Sequence, residues 1–201
     1  MIPASPENIT GLILAGGRGS RMGGVDKGLA LLDGRPMVSH VLDRLAPQVG
    51  PILISANRST EHYAMFGRPV IPDRLEGFAG PLAGLEAGLA ACTTPYLATA
   101  PCDSPFLPPD LVPRLAEALC AERASVAVAR TGDQLQPVFA LMRSFALPDL
   151  QAFTRAGGRK MELWLRRLKW VACPFDDAPE AFANINTPDE LRAHQAGDTA
   201  R

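Results

Sequence analysis

Histidine is scarce in this 201-residue sequence: His40, His62 and His194 are the whole supply, scattered with no ligand spacing and no nucleophile constellation beside them. Histidine metal centres and Ser-His or Cys-His catalysis are therefore unsupported. The four cysteines, Cys92, Cys102, Cys120 and Cys173, form no CxxC pair, and three of them sit among apolar residues. That argues against a disulfide framework or a zinc site. No excess of one charge sign exists, the formal net charge being -1, so nucleic acid is not expected as a partner. Nor is there an apolar run long enough to span a bilayer, and Met1 to Pro6 carries neither a basic region nor an apolar signal core. The expectation is a cytoplasmic protein with no membrane partner.

What is present reads as one α/β domain over residues 1–201, with a polar tail at 195–201. Short apolar runs alternate with helical spacing. Leu12 to Leu14 reads as a strand, Met37, Val41 and Leu45 as a helix face, and Ile52 to Ile54 as a strand. Leu82, Leu85 and Leu89 then read as a helix, and Tyr96 to Ala98 as a strand. Strands apolar on both faces predict a mostly parallel central sheet covered on both sides, a three-layer sandwich with Rossmann-like logic and a ligand crevice at the strands' carboxyl ends. Downstream, the pattern predicts a helix over roughly Pro109 to Leu119, strands at Val126 to Val128 and Pro137 to Leu141, and a tight turn at Asp33-Gly34. Helical spacing returns at Leu147, Leu150 and Phe153, stops at Gly157-Gly158, and resumes through Met161, Trp164, Leu165 and Leu168. A last helix is announced by Thr187 as cap, Pro188 in its first position and Glu190 completing a T-x-x-E capping box.

The first strand runs straight into a glycine-rich loop, Leu14-Ala15-Gly16-Gly17-Arg18-Gly19-Ser20-Arg21-Met22-Gly23-Gly24. Glycines after a buried strand let backbone N–H groups approach a phosphate closely. A Walker A loop would need a terminal Gly-Lys-Ser/Thr, and a dinucleotide fingerprint starting at Gly17 meets Met22 where its third glycine belongs. Bare glycines also make simple turns, but Arg18, Arg21 and Lys27 add three cations here. A triphosphate would use both features.

Acidic residues follow later strands. Asp103, in Pro101-Cys102-Asp103-Ser104-Pro105, falls just past a strand end, where one carboxylate plus a triphosphate suffices to bind magnesium. An aspartate in a proline-rich turn also serves as a turn former. Asp73 follows Val70-Ile71-Pro72 and precedes Gly77-Phe78-Ala79-Gly80-Pro81-Leu82-Ala83-Gly84. Its carboxylate can accept N–H or O–H donors from a ligand or cap a surface turn. Asn184 and Asn186, two apart on an extended segment, present their amides to one side, and Arg159 and Lys160 adjoin a glycine pair. Arg166, Arg167 and Lys169 are expected on the outer face of the following helix. Ser20, Ser104 and Cys102 lack the surroundings of a nucleophile.

Taken together, L-A-G-G-R-G-S-R-M-G-G-V-D-K-G, the C-D-x-P segment at Asp103, the G-P-L-A-G segment after Asp73 and N-I-N-T-P-D-E-L at Asn184 resemble the molybdenum cofactor guanylyltransferases, a branch of the sugar-nucleotidyltransferase-like enzymes. The resemblance implies transfer of GMP from GTP to the molybdenum-molybdopterin cofactor with release of pyrophosphate. It implies a GTP-binding half over about 9–100 and a metal- and acceptor-binding half over about 101–194. Leu14, Ala15, Gly16, Gly17, Lys27, Ser55, Asp73 and Asp103 would bind nucleotide, Asp103 would bind Mg2+, and Arg21, Lys27 and Asp103 would act in catalysis. Arg159, Lys160, Asn184 and Asn186 would take the acceptor. Ser55 departs from the family, which often carries Asn there, whereas Asn57 and Arg58 match. Transient contacts with cofactor-delivering and molybdoenzyme-maturation proteins are implied as well. Cytidylyl transfer to the same cofactor, sugar-phosphate nucleotidyl transfer and a non-catalytic GTP-binding regulatory module stay open as alternatives.

Overall fold

The computed structural model describes residues 4–16, 26–73, 80–185, 187 and 189–192. In chain order its elements begin with β1 (Ile9–Leu14), β2 (Leu31–Leu32), β3 (Arg35–Pro36), α1 (Met37–Leu45), β4 (Ile52–Ser55), α2 (Thr60–Ala64) and β5 (Val70–Ile71). They continue with α3 (Pro81–Ala91), β6 (Tyr96–Pro101), α4 (Leu111–Ala121), β7 (Val126–Thr131), β8 (Gln134–Arg143), α5 (Leu147–Arg155), α6 (Met161–Leu165) and β9 (Trp170–Pro174). The predicted strands and helices of the first half are all here. So is the Asp33-Gly34 turn, which joins β2 to β3 with both residues left-handed, as a tight hairpin connection requires.

Seven strands form one sheet in the order β5-β4-β1-β6-β8-β7-β9. Every pairing is parallel except the two made by β8, which runs against both β6 and β7. The sheet divides its side chains between two cores. Ile9 and Ile13 of β1 point into one, beneath α1, α2 and α4; Leu12 and Leu14 point into the other, beneath α3, α5 and α6. This is the three-layer arrangement expected from strands without a polar face.

α3 is apolar almost all round because it lies directly on β1. Glycines permit the close approach: a Cβ on Gly88 would strike the Leu12 side chain, and one on Gly84 would stand 2.7 Å from Ser55 Oγ and 2.9 Å from a Leu14 methyl. Glu86, the one charged residue buried in α3, accepts a 2.9 Å hydrogen bond from Thr154 Oγ1 of α5, tying the two helices together. Gln48 does the same on the opposite side. Its amide donates to the carbonyls of Arg44 and Pro108 and accepts from the Val112 N–H, so its buried polar atoms are partnered.

One helix is shorter than its spacing suggests. α6 ends at Leu165, with Arg166 as its cap and Arg167 in a turn, so Arg166, Arg167 and Lys169 do not share a helix face. Lys169 instead accepts the Ser125 N–H at 2.7 Å, and β9 begins at the next residue, paired with β7. Leu168 and Trp170 still reach the second core, but by a turn into a strand. Tertiary pairing overrides the helical period there. The Gly157 stop holds, at a φ of 88°. The capping box also forms: Thr187 Oγ1 accepts the Glu190 N–H at 3.1 Å while Glu190 Oε2 accepts the Thr187 N–H at 3.2 Å, opening a helical turn at 189–192. Pro188 lies outside the described residues.

The α3–β1 contact gives a stability test. Gly88→Ala should destabilise the protein by about 1–3 kcal/mol, because overpacking against Leu12 outweighs the better helix propensity of alanine. Chemical unfolding measures this, and an unchanged or raised midpoint would count against the tight α3–β1 contact.

Candidate active site

The sheet registers put four strand ends in one row. Leu14 pairs with Ser55 on one side and Pro101 on the other, and Ser55 pairs with Ile71. Each strand carries its ladder one residue further, since the N–H groups of Ala15, Ala56 and Cys102 donate to Ser55, Ile71 and Leu14. Immediately past this row come Gly16, Asn57, Asp73 and Asp103. The registers therefore bring these residues to one edge of the sheet, the carboxyl edge at which ligands of such sheets bind.

On the β6 side of the row, Lys27 Nζ meets Asp103 Oδ2 at 3.1 Å, with the side chains 25% and 13% exposed. Lys27 opens a 3-10 turn over Lys27–Leu29 that Asp26 precedes in extended conformation. Asn184 arrives from the far end of the chain: the Ile185 N–H donates to the Asp103 carbonyl at 2.9 Å, and the fully buried Ser104 Oγ donates to Asn184 Oδ1 at 2.5 Å. The Asn184 amide oxygen is thus engaged by the loop that carries Asp103.

On the β4 side, Asp73 is held at three points. Asn57 accepts its backbone N–H at 2.8 Å and donates to Oδ2 at 2.6 Å, while Ser55 Oγ donates to Oδ1 at 3.1 Å. A Cβ on Gly16 would stand 4.0 Å from Asp73 Oδ2, which places the start of the glycine-rich loop against this carboxylate. Ser55, although shorter than the asparagine common in the resembled family, still makes a side-chain contact here.

Arg159 and Lys160 lie in the link between α5 and α6. Arg159 donates to the carbonyls of Thr154 and Gly158, closing the end of α5, and Lys160 is exposed at the start of α6. Gly17, Arg18, Arg21, Gly77 to Ala79, Asn186 and His194 lie outside the described residues. Two residues of the site escaped the sequence reading. Tyr63 has no local signal, and Asp26 was hidden inside the signature string.

Cys102 is adjacent to Asp103 and buried. Burial first, then the Asp103 and Asp26 carboxylates, push its thiol well above the usual range. It remains protonated at neutral pH and is no thiolate nucleophile. Among the described residues no group of three or more His, Cys, Asp or Glu is arranged to hold a metal ion, and no helix is long and apolar enough to cross a membrane.

A parallel-rich sheet with Gly16, Lys27, Asp73 and Asp103 gathered at one edge is the layout of a nucleotide-binding α/β protein. The chain belongs to the MobA-like NTP transferase domain family, whose profile matches residues 11–171. It is 57% identical over 196 residues to the molybdenum cofactor guanylyltransferase of Cupriavidus pinatubonensis, covering 95% of this chain and 98% of that one. The enzyme of the same description from Cupriavidus taiwanensis is 57% identical over 195 residues, covering 94% and 98%. In fold, the chain superposes on the molybdopterin-guanine dinucleotide biosynthesis protein A of Archaeoglobus fulgidus with a TM-score of 0.78 and 24% identity, over 96% of this chain and 100% of the other.

The cysteine geometry predicts an order of labelling. With a thiol reagent at pH 8 the exposed Cys120 should react first, and Cys102 should resist until the protein unfolds. Peptide mapping after a short pulse reads this; labelling of Cys102 as fast as Cys120 contradicts the burial argument.

Proposed function

We propose that this protein transfers GMP from GTP to the terminal phosphate of the molybdenum-molybdopterin cofactor, forming the guanine dinucleotide and releasing pyrophosphate. The observation that carries the reading is the Lys27–Asp103 pair at the end of the strand row, in a chain 57% identical to guanylyltransferases across 95% of its length. In the reaction an acceptor phosphate oxygen attacks the α-phosphorus of GTP, the bond from that phosphorus to its bridging oxygen breaks, and pyrophosphate departs. The attacking oxygen is already deprotonated, so no general base is needed. The chief obstacle is bringing two anions together.

Lys27 supplies positive charge at the triphosphate, and the Gly16 segment offers backbone N–H groups without a side chain in the way. Asp73, fixed by Asn57 and Ser55, presents its carboxylate to guanine or ribose. Leu14, Ala15 and Gly17 complete the nucleotide loop in this reading, and Arg21 adds a second cation. The donor chemistry of Asp103 fits magnesium, because this ion takes one or two carboxylates and leaves the rest of its shell to water and phosphate. When bound, Mg2+ would stabilise charge on the triphosphate oxygens. Arg159, Lys160, Asn184 and Asn186 are assigned to the acceptor side, although Arg159 also closes a helix. Its place is the cytoplasm, with transient partners that deliver the cofactor and receive the product.

Mass spectrometry of the product from GTP and molybdenum-loaded pterin, with CTP, ATP and sugar phosphates run alongside, tests the reading. A guanine dinucleotide is expected. A cytosine dinucleotide, a nucleotide sugar or binding of GTP without turnover would each replace it with an alternative. Asp103→Asn should lower turnover by roughly 10²–10³-fold while the unfolding curve stays in place, as loss of a preorganised electrostatic group does. Near-normal rates at saturating Mg2+ would remove Asp103 from catalysis.

The acceptor assignment has its own test. Arg159→Ala/Lys160→Ala should raise the KM for the phosphorylated pterin by about tenfold and leave GTP affinity within about twofold, because charge-assisted bonds to a terminal phosphate are lost. Equal losses for both ligands, or none for either, would return these residues to helix capping and solvation.

A further inference from the structure

Tyr63 is fully buried in the core beneath α1 and α4, where a phenylalanine would fill the same space without carrying a hydroxyl out of water. Stability alone gives no reason for that oxygen. Its contacts do. The Tyr63 hydroxyl donates to Asp26 Oδ1 at 2.5 Å, and the Cys102 side chain lies across Gly28 from it. Gly28 is wedged at the same spot: a Cβ there would strike the phenol oxygen and stand 3.1 Å from both the Cβ and the Sγ of Cys102. Asp26 immediately precedes Lys27, and Cys102 immediately precedes Asp103. One phenol oxygen therefore grips the residue before Lys27 and shares the space around Gly28 with the residue before Asp103.

We infer that Tyr63 is a positioning residue for the transfer reaction: through Asp26 it fixes the turn that carries Lys27, and against Cys102 it fixes the strand end that carries Asp103. The assignment rests on the catalytic reading given above. Asp26 is an apt anchor because its carbonyl also accepts the Leu29 N–H, so the residue gripped by Tyr63 is the one from which the 3-10 turn starts. A charged group displaced by a fraction of an ångström binds the ground state almost as well but loses alignment with the transition state.

The test compares Tyr63→Phe, Asp26→Ala, Asp26→Asn and the Tyr63→Phe/Asp26→Ala double variant, reading kcat, the KM for GTP and thermal unfolding in each. Tyr63→Phe should lower kcat by roughly tenfold or more while the KM for GTP moves less than about threefold and the fold melts as before. Asp26→Ala should fall equally far, Asp26→Asn, which still offers the phenol an oxygen, should recover most of that loss, and the double variant should be no worse than either single. A Tyr63→Phe enzyme with unchanged kcat, fully additive losses in the double variant, or losses that simply follow melting temperature would overturn the inference. Lys27→Ala, run in parallel, separates the two levels. If it too turns over normally, the catalytic reading has failed; if it is crippled while Tyr63→Phe is normal, only the positioning role has failed.

Discussion

β1 has no face toward water, and the rest of the molecule is arranged around that constraint. All six of its residues are buried, so it must sit between two other strands and under two helical layers at once. Parallel neighbours β4 and β6 satisfy its backbone, and their registers oblige three loops to emerge side by side at one edge. Burial of β1 and assembly of the site are the same event seen from two ends. The small residues of α3 belong to this economy, because any Cβ at Gly84 or Gly88 would lift the helix from the strand whose end carries the loop.

The two halves of the row are held by different physics. Around Asp73 the grip is neutral and local: an asparagine and a serine supply directional hydrogen bonds to a surface carboxylate without adding charge. Around Asp103 it is ionic and long-range, joining residues 76 apart in sequence through a partly buried pair. The first arrangement suits recognition of a neutral ring or sugar. The second suits handling of dense negative charge, where a cation must be close yet not neutralised permanently.

Much of this was legible in the residues. β1, α1, β4, β5, α3 and β6 follow from apolar residues with clear spacing and ends, whereas α2 and the short strands β2 and β3 do not, and Lys27, Asp73 and Asp103 stand out because each falls just beyond a strand or in a glycine string. The reversed direction of β8 was not legible, since a strand's hydrophobic pattern is the same read either way. β9 was missed because Leu168 and Trp170 extend the spacing of Met161, Trp164 and Leu165 closely enough to pass for helix. Tyr63 carries no sequence signal at all: its importance arises from a hydroxyl that reaches Asp26 across 37 positions. Arg159, conspicuous beside a glycine pair, turned out to close the helix before it.

The reversal of β8 has a further effect. With β8 antiparallel to both neighbours, β7 and β9 again run in the direction of β1, so the chain leaves β9 at the edge where the site lies. From there it returns through the Pro179–Phe182 turn to lay Asn184 and Ile185 against the Asp103 loop. On the ribosome, the strand row can form from sequence already synthesised by Pro101, but the Asp103 carbonyl and the Ser104 hydroxyl wait for partners eighty or more residues downstream. A nascent chain therefore carries an incomplete pocket until synthesis has passed residue 185, which ties the appearance of a finished site to near-complete translation.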